Sequence, residues 1–184
     1  MATPKIQTLV ITFIADDRPG LVERLSEAVT GAGGNWLESR MARLAAKFAG
    51  IARIEIAADK TPALKVALAA LEADGFNLNI EGAAVEAAPG GVAGASGAVF
   101  NLELLGPDHP GIVRDVTHCL SEQGVSVEEM QTNLLRAPMG GDILFQAQAR
   151  VRLPDDLSED SLRDALEALA EALMVDLTLR EGDA

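Results

Sequence analysis

Asp17 and Gly20 stand three positions apart in Ala15-Asp16-Asp17-Arg18-Pro19-Gly20-Leu21-Val22, between an apolar β-branched run and an amphipathic one. A helix beginning here leaves its first backbone N–H groups without partners, and its dipole favours an anion there. Glycine removes the Cβ that would hinder close approach, so amides beside Gly20 and Leu21 can bind a carboxylate. Asp17, one turn earlier, can accept hydrogen bonds from an ammonium group. Together those two demands describe a free amino acid. Asn35, eighteen residues after Asp17, offers both a donor and an acceptor to the same ligand. Asp17, Pro19, Gly20, Leu21 and Asn35 are therefore the first candidate binding set.

The turn recurs as Gly106-Pro107-Asp108-His109-Pro110-Gly111-Ile112-Val113, with Asp108 placed 91 residues after Asp17. Ser126 follows Asp108 by the same eighteen residues that separate Asn35 from Asp17. Asp108, Gly111, Ile112 and Ser126 make the second candidate set. For either aspartate alone, the plainer reading is a helix cap, because Asx residues before Pro-Gly are common turn and cap formers. Recurrence of the pair at the same spacing is what points to a ligand.

The elements that must position these turns read clearly. Residues 5–14 predict a strand with Leu9, Ile11 and Phe13 on one face. Leu21, Val22, Leu25, Ala28 and Val29 make a helical stripe over 19–32, ended by Gly31, Gly33 and Gly34. Strands follow at 35–44 and 48–57, joined by a short turn at 45–47. Thr61-Pro62 predicts a helix start with threonine as cap, and 76–86 a closing strand. Residues 87–97 are small and glycine-rich, a linker composition. The order then repeats: strand 98–105, helix 110–123, strand 125–136, a longer turn containing Pro138-Met139-Gly140-Gly141, strand 143–152, a helix capped by Ser158, and strand 175–180. The expectation is an α+β chain of two ferredoxin-like β-α-β-β-α-β domains, 1–86 and 98–184, each with both helices on one side of a four-stranded antiparallel sheet. Glu103, Gln146, Gln148 and Arg150 fall on the outward face of the second sheet, which argues against a wholly dry sheet-on-sheet contact there.

The bulk properties narrow the function classes. A formal charge of −13 weighs against nucleic-acid binding, and it is concentrated in the second half. Through residue 87 there are nine Lys/Arg against eleven Asp/Glu, leaving six against seventeen beyond it. This reads as a solvated acidic surface, or more sharply as a face for a basic partner. No apolar run reaches a membrane span, the start Met1-Ala2-Thr3-Pro4-Lys5 lacks a signal-peptide layout, and one cysteine forms no internal disulfide. A cytoplasmic protein is expected, without metal or other cofactor.

Several residues invite other readings. His118 and Cys119 are adjacent on a helix, about 100° apart, and do not make a nucleophile pair. His109 lies in the second turn, and two histidines without a supporting cluster are a poor zinc site. Gly31-Ala32-Gly33-Gly34 follows a helix, whereas a dinucleotide fingerprint opens one. Trp36 reads as packing, and Glu38-Ser39-Arg40 as a polar strand near the site. An acyl-phosphate hydrolase using Arg18 to hold phosphate is an alternative, opposed by Asp16 and Asp17 beside it. A structural module whose turns only cap helices is another.

Tandem β-α-β-β-α-β units, each with Asp-x-Pro-Gly between first strand and first helix, resemble ACT domains. Ala15-Asp16-Asp17-Arg18-Pro19-Gly20, Asn35, Glu38-Ser39-Arg40 and Phe48 are similar to the glycine cleavage system transcriptional repressor family. The resemblance implies a non-enzymatic sensor that binds a small amino acid, glycine or serine favoured, at interfaces between ACT units. No helix-turn-helix signal stands out, so a transcriptional effect is expected to pass through a separate DNA-binding transcriptional activator. Pairing of ACT units is expected within the chain, between chains or both, with a homodimer favoured. Serine-binding ACT domains carry Asn at the positions of Asp17 and Asn35. This chain has Asp in both turns and Ser126 in the second, and Ala15 and Gly106 stand where such domains can carry a binding histidine. The first site is expected to be the more intact.

Overall fold

The computed structural model describes residues 5–83, 97–137, 141 and 143–182. The expectations placed on residues 1–4, on 84–86 at the end of the fourth strand, on linker residues 87–96, and on Pro138-Met139-Gly140 in the longer turn lie outside the described residues. The chain divides into two compact units, Met1–Pro89 and Gly90–Ala184.

The first unit comprises β1 (Ile6–Asp16), α1 (Leu21–Gly31), β2 (Asn35–Leu44), β3 (Lys47–Ala57), α2 (Thr61–Glu72) and β4 (Asn77–Gly82), with a short 3-10 turn at Ala58–Lys60. The second repeats the order as β5 (Val99–Pro107), α3 (Ile112–Glu122), β6 (Ser126–Arg136), β7 (Ile143–Arg152), α4 (Glu159–Leu173) and β8 (Asp176–Glu181). Each forms one four-stranded antiparallel sheet, in the orders β2-β3-β1-β4 and β6-β7-β5-β8. This is the α+β, ferredoxin-like arrangement expected from the alternation of two-residue and helical periods.

Alternation along the central strands puts the core where the pattern requires. Leu9, Ile11, Phe13 and Ala15 of β1 point inward with Ile54 and Ile56 of β3, under Leu21, Leu25 and Val29 of α1 and Leu64 and Leu68 of α2. In the second unit Phe100, Leu102, Leu104 and Val151 meet Ile112, Val116 and Leu120 of α3 and Leu162 and Leu166 of α4. The outward face of the second sheet is polar: Asn101, Glu103, Gln131, Gln148 and Arg150 line a shallow hollow there.

Three local expectations change. The first helix begins at Leu21 rather than Pro19, because Gly20 stands at φ +88°, a left-handed conformation that cannot lie inside a right-handed helix. Gly111 repeats this at φ +100°, so α3 begins at Ile112 rather than residue 110. Thr61 does not cap α2; Lys60 occupies the cap without a side-chain bond, and the Thr61 hydroxyl instead accepts from Gln7 Nε2 of β1. Ser158 does cap α4, accepting from the Ser161 N–H at 3.2 Å.

The β2–β3 hairpin closes on Ala45 and Ala46, at φ +48° and +62°. Two left-handed residues suit the twist of a tight hairpin, but this geometry usually calls for Asn-Gly. Ala46→Gly is expected to raise stability by about 0.5–1 kcal/mol, since the strain relieved exceeds the added chain entropy. Urea denaturation checks this, and a loss of stability would contradict it.

Candidate functional site

β1 runs off the sheet at Asp16 and reaches α1 through Asp17-Arg18-Pro19-Gly20. The left-handed Gly20 turns the chain so that α1 starts over the sheet, and no side chain caps it. An open cavity of about 360 Å³ lies at this start, lined by Asp17, Arg18, Gly20, Leu21, Val22, Glu23 and Phe48. Phe48 is held from behind by Phe13, with ring centroids 5.9 Å apart. The cavity therefore joins a rigid aromatic wall, a helix start and acidic side chains.

Asp17 is anchored to the hairpin rather than to the helix. Its N–H donates to the Ala46 carbonyl at 3.0 Å, and its carboxylate accepts from Arg43 Nη1 at 3.1 Å. The helix-cap reading of Asp17 does not hold: no side chain caps α1, and the Asp17 carboxylate meets Arg43 of β2 instead. Asp108 repeats the backbone contact, its N–H donating to the Ile143 carbonyl at 3.2 Å.

Charges around the first turn are divided between partners. Arg18 donates to the Asp74 carbonyl, and Arg24 pairs with the Asp74 carboxylate, tying the turn and α1 to the end of α2. Arg18 still lines the cavity, with Asp17 and Glu23 beside it opposing the phosphate role considered for it. Lys47 pairs with Asp16, and this ammonium group holds the Asp16 carboxyl below its usual range. Ala15 points into the core, so the position two before Asp17 presents no side chain to the cavity.

Asn35 does not join this cluster within its unit. It opens β2 opposite Glu55, which itself lies opposite Thr8, whereas Asp17 leaves β1 beside the far end of β2. Eight ladder steps of about 3.3 Å separate Thr8 from Asp16, or roughly 25 Å along the strand. Ser126 stands at the same distant position, opposite Arg152 and beyond it Val99. One unit alone cannot bring Asp17 and Asn35, or Asp108 and Ser126, to one small molecule.

The side chains that sequence reading missed are Arg43, Val22 and Glu23. Arg43 was discoverable: closing the hairpin on Ala45 and Ala46 puts Arg43 opposite Phe48, and Phe48 opposite Ala15. The same register in the second unit places Leu134 opposite Phe145 and Gly106. There Arg114 pairs with Asp115 at 2.8 Å, keeping the Asp115 carboxyl low, and His109 lies half-buried. Cys119 packs against the second core, burial raises its thiol pKa, and exposed His118 pairs with Glu122 at 3.4 Å. Neither is set up as a nucleophile. Among the described residues, no group of three or more His, Cys, Asp or Glu could hold a metal ion, and no helix is long and apolar enough to cross a membrane.

The family model described as ACT domain matches residues 7–79, the span of the first turn and sheet. The chain carries an ACT domain in its first unit, and its second unit repeats that fold. Its two ACT units are similar over almost their whole length to an unknown protein from Galdieria sulphuraria, at 31% identity and a TM-score of 0.80, covering 97% of this chain and 100% of that one. A protein provisionally named a glycine cleavage system transcriptional repressor shares the tandem ACT fold at 19% identity and a TM-score of 0.69, covering 97% and 99%. No curated protein matches the chain.

Proposed function

We propose that this tandem ACT protein is an amino-acid sensor, without catalytic activity of its own, that binds a small free amino acid at the first turn and changes how it engages a protein partner. The observation that supports this most is the cavity at the start of α1. There, uncapped first-turn amides, a left-handed glycine and the Asp17 carboxylate stand together. Those amides suit the ligand's carboxylate, and Asp17 suits its ammonium group. Asn35 and Ser126 enter this reading as groups contributed by another copy of the chain in a homodimer, because each stands at the wrong end of its own unit.

Glycine and serine are the ligands proposed first. The likeness to the provisionally named repressor carries the fold alone, but it makes control of glycine cleavage the process to test. With a net charge of −13, contact with DNA is assigned to a separate DNA-binding activator rather than to this chain, in the cytoplasm.

The test is a thermal melt of the whole chain with each of the twenty amino acids at millimolar concentration. A ligand present at 100 times its dissociation constant is expected to add roughly 2.7 kcal/mol of stability. Unchanged melting throughout the panel would overturn the sensor reading.

A further inference from the structure

We propose that Arg43 makes the first-unit cavity selective for zwitterions, taking the ligand's carboxylate while Asp17 takes its ammonium group; this rests on the sensor reading above. The cavity is poor in available positive charge. Asp17 and Glu23 both line it, and Glu23 sits in the first turn of α1, at the very pole that would otherwise receive an anion. Arg18, the lining cation, is engaged by the Asp74 carbonyl, and Lys47 by Asp16. The lining carries two carboxylates against the one guanidinium of Arg18, whose bond to a neutral carbonyl leaves it charged, so a carboxylate entering beside Glu23 gains from a second cation.

Arg43 supplies one. It is not itself a lining residue, but its guanidinium stands 3.1 Å from the carboxylate of Asp17, which does line the cavity; the Arg43 side chain is 71% exposed against 29% for Asp17. An ion pair so exposed contributes little to stability, so opening it costs little. A zwitterion inserted between the two groups exchanges that single pair for two: ammonium on Asp17, and carboxylate on Arg43 with the helix amides. Guanidinium is suited to this role because its fork can hold both carboxylate oxygens. The chain also supplies its own contrast. Leu134 occupies the register of Arg43 in the second unit and is largely exposed there, so the second turn lacks this group.

Binding of glycine, serine, glycinamide and serinamide to the full chain, read by calorimetry and thermal shift, tests the assignment. Arg43→Leu is expected to weaken glycine or serine binding about tenfold or more, the scale of one charge-assisted contact. Arg43→Lys should restore part of it, and the carboxamides should bind weakly to wild type and no worse to Arg43→Leu. The unliganded variant should melt close to wild type, since leucine is tolerated at this register in the second unit. Glycine or serine binding to Arg43→Leu within about threefold of wild type overturns the proposal and leaves the sensor reading standing. So does a carboxamide that binds wild type as tightly as its parent, a result independent of any variant's folding. If neither glycine nor serine binds wild type, this assignment falls, and the twenty-amino-acid melt decides separately whether the sensor reading falls with it.

Discussion

Leu25→Ala is expected to cost about 3–4 kcal/mol and to remove any ligand response with it. Leu25 is fully buried, at 0% exposure, and presses α1 onto β1 among Leu21, Val29 and Ile11. Truncation loses the transfer free energy of the side chain and leaves a cavity that a twelve-residue neighbour such as α2 cannot easily fill. Small domains have only about 5–15 kcal/mol in reserve, so the loss is a large share of what holds the unit folded. Trp36 makes the measurement specific. It is the only tryptophan, and it packs against the first core, so its fluorescence in urea follows the first unit alone. The functional consequence comes through geometry: α1 carries its uncapped amides to the cavity only while Leu25 holds it down. A loss below about 1 kcal/mol would mean that the site collapses around the truncation or that α1 is not seated as described.

The large features were legible because they rest on repetition and period. Both sheets came from strands of alternating character, and the helices from apolar stripes at helical spacing whose members, such as Leu21 and Leu25, are buried. What stayed hidden depends on backbone geometry and register. Nothing in Pro19-Gly20 alone tells whether glycine lies inside the helix or turns the chain into it; φ +88° decides. The same turn carries Asp17 away from capping and toward Arg43, a residue 26 positions away that only the hairpin register brings near. Equal spacing does not mean proximity within one unit, as Asn35 shows. Eighteen residues with a helix between them return the chain to the opposite end of the sheet, so matched spacing in the two units establishes their kinship without making one pocket. Leu37 and Glu128, which fall at corresponding bulges in β2 and β6, are a further correspondence of this kind. Glu128 uses its bulge to accept from Arg150 at 3.0 Å and Arg152 at 2.6 Å, contacts no motif announced.

Gly20→Val and Gly111→Val are expected to look alike in stability and unlike in ligand response. Each glycine precedes its helix in the left-handed region, at φ +88° and +100°, where a β-branched residue is strained by roughly 1–2 kcal/mol or more. Space is not the issue. A Cβ at Gly20 would meet nothing nearer than Glu23 Oε2 at 3.8 Å, and one at Gly111 nothing nearer than Arg114 Nη2 at 3.4 Å. The penalty is therefore a backbone penalty in both, and each unit should lose about 4–8 °C of melting temperature per kcal/mol. The ligand distinguishes them. Valine at position 20 would cover the first amides of α1 and crowd the Asp17 side of the cavity, so stabilisation by glycine or serine should disappear. Valine at position 111 should leave that stabilisation intact, because the second turn faces Leu134 where the first faces Arg43. Equal loss of response in both variants would contradict the assignment of the ligand to the first turn. Retained response in Gly20→Val would move the binding site away from the start of α1 altogether.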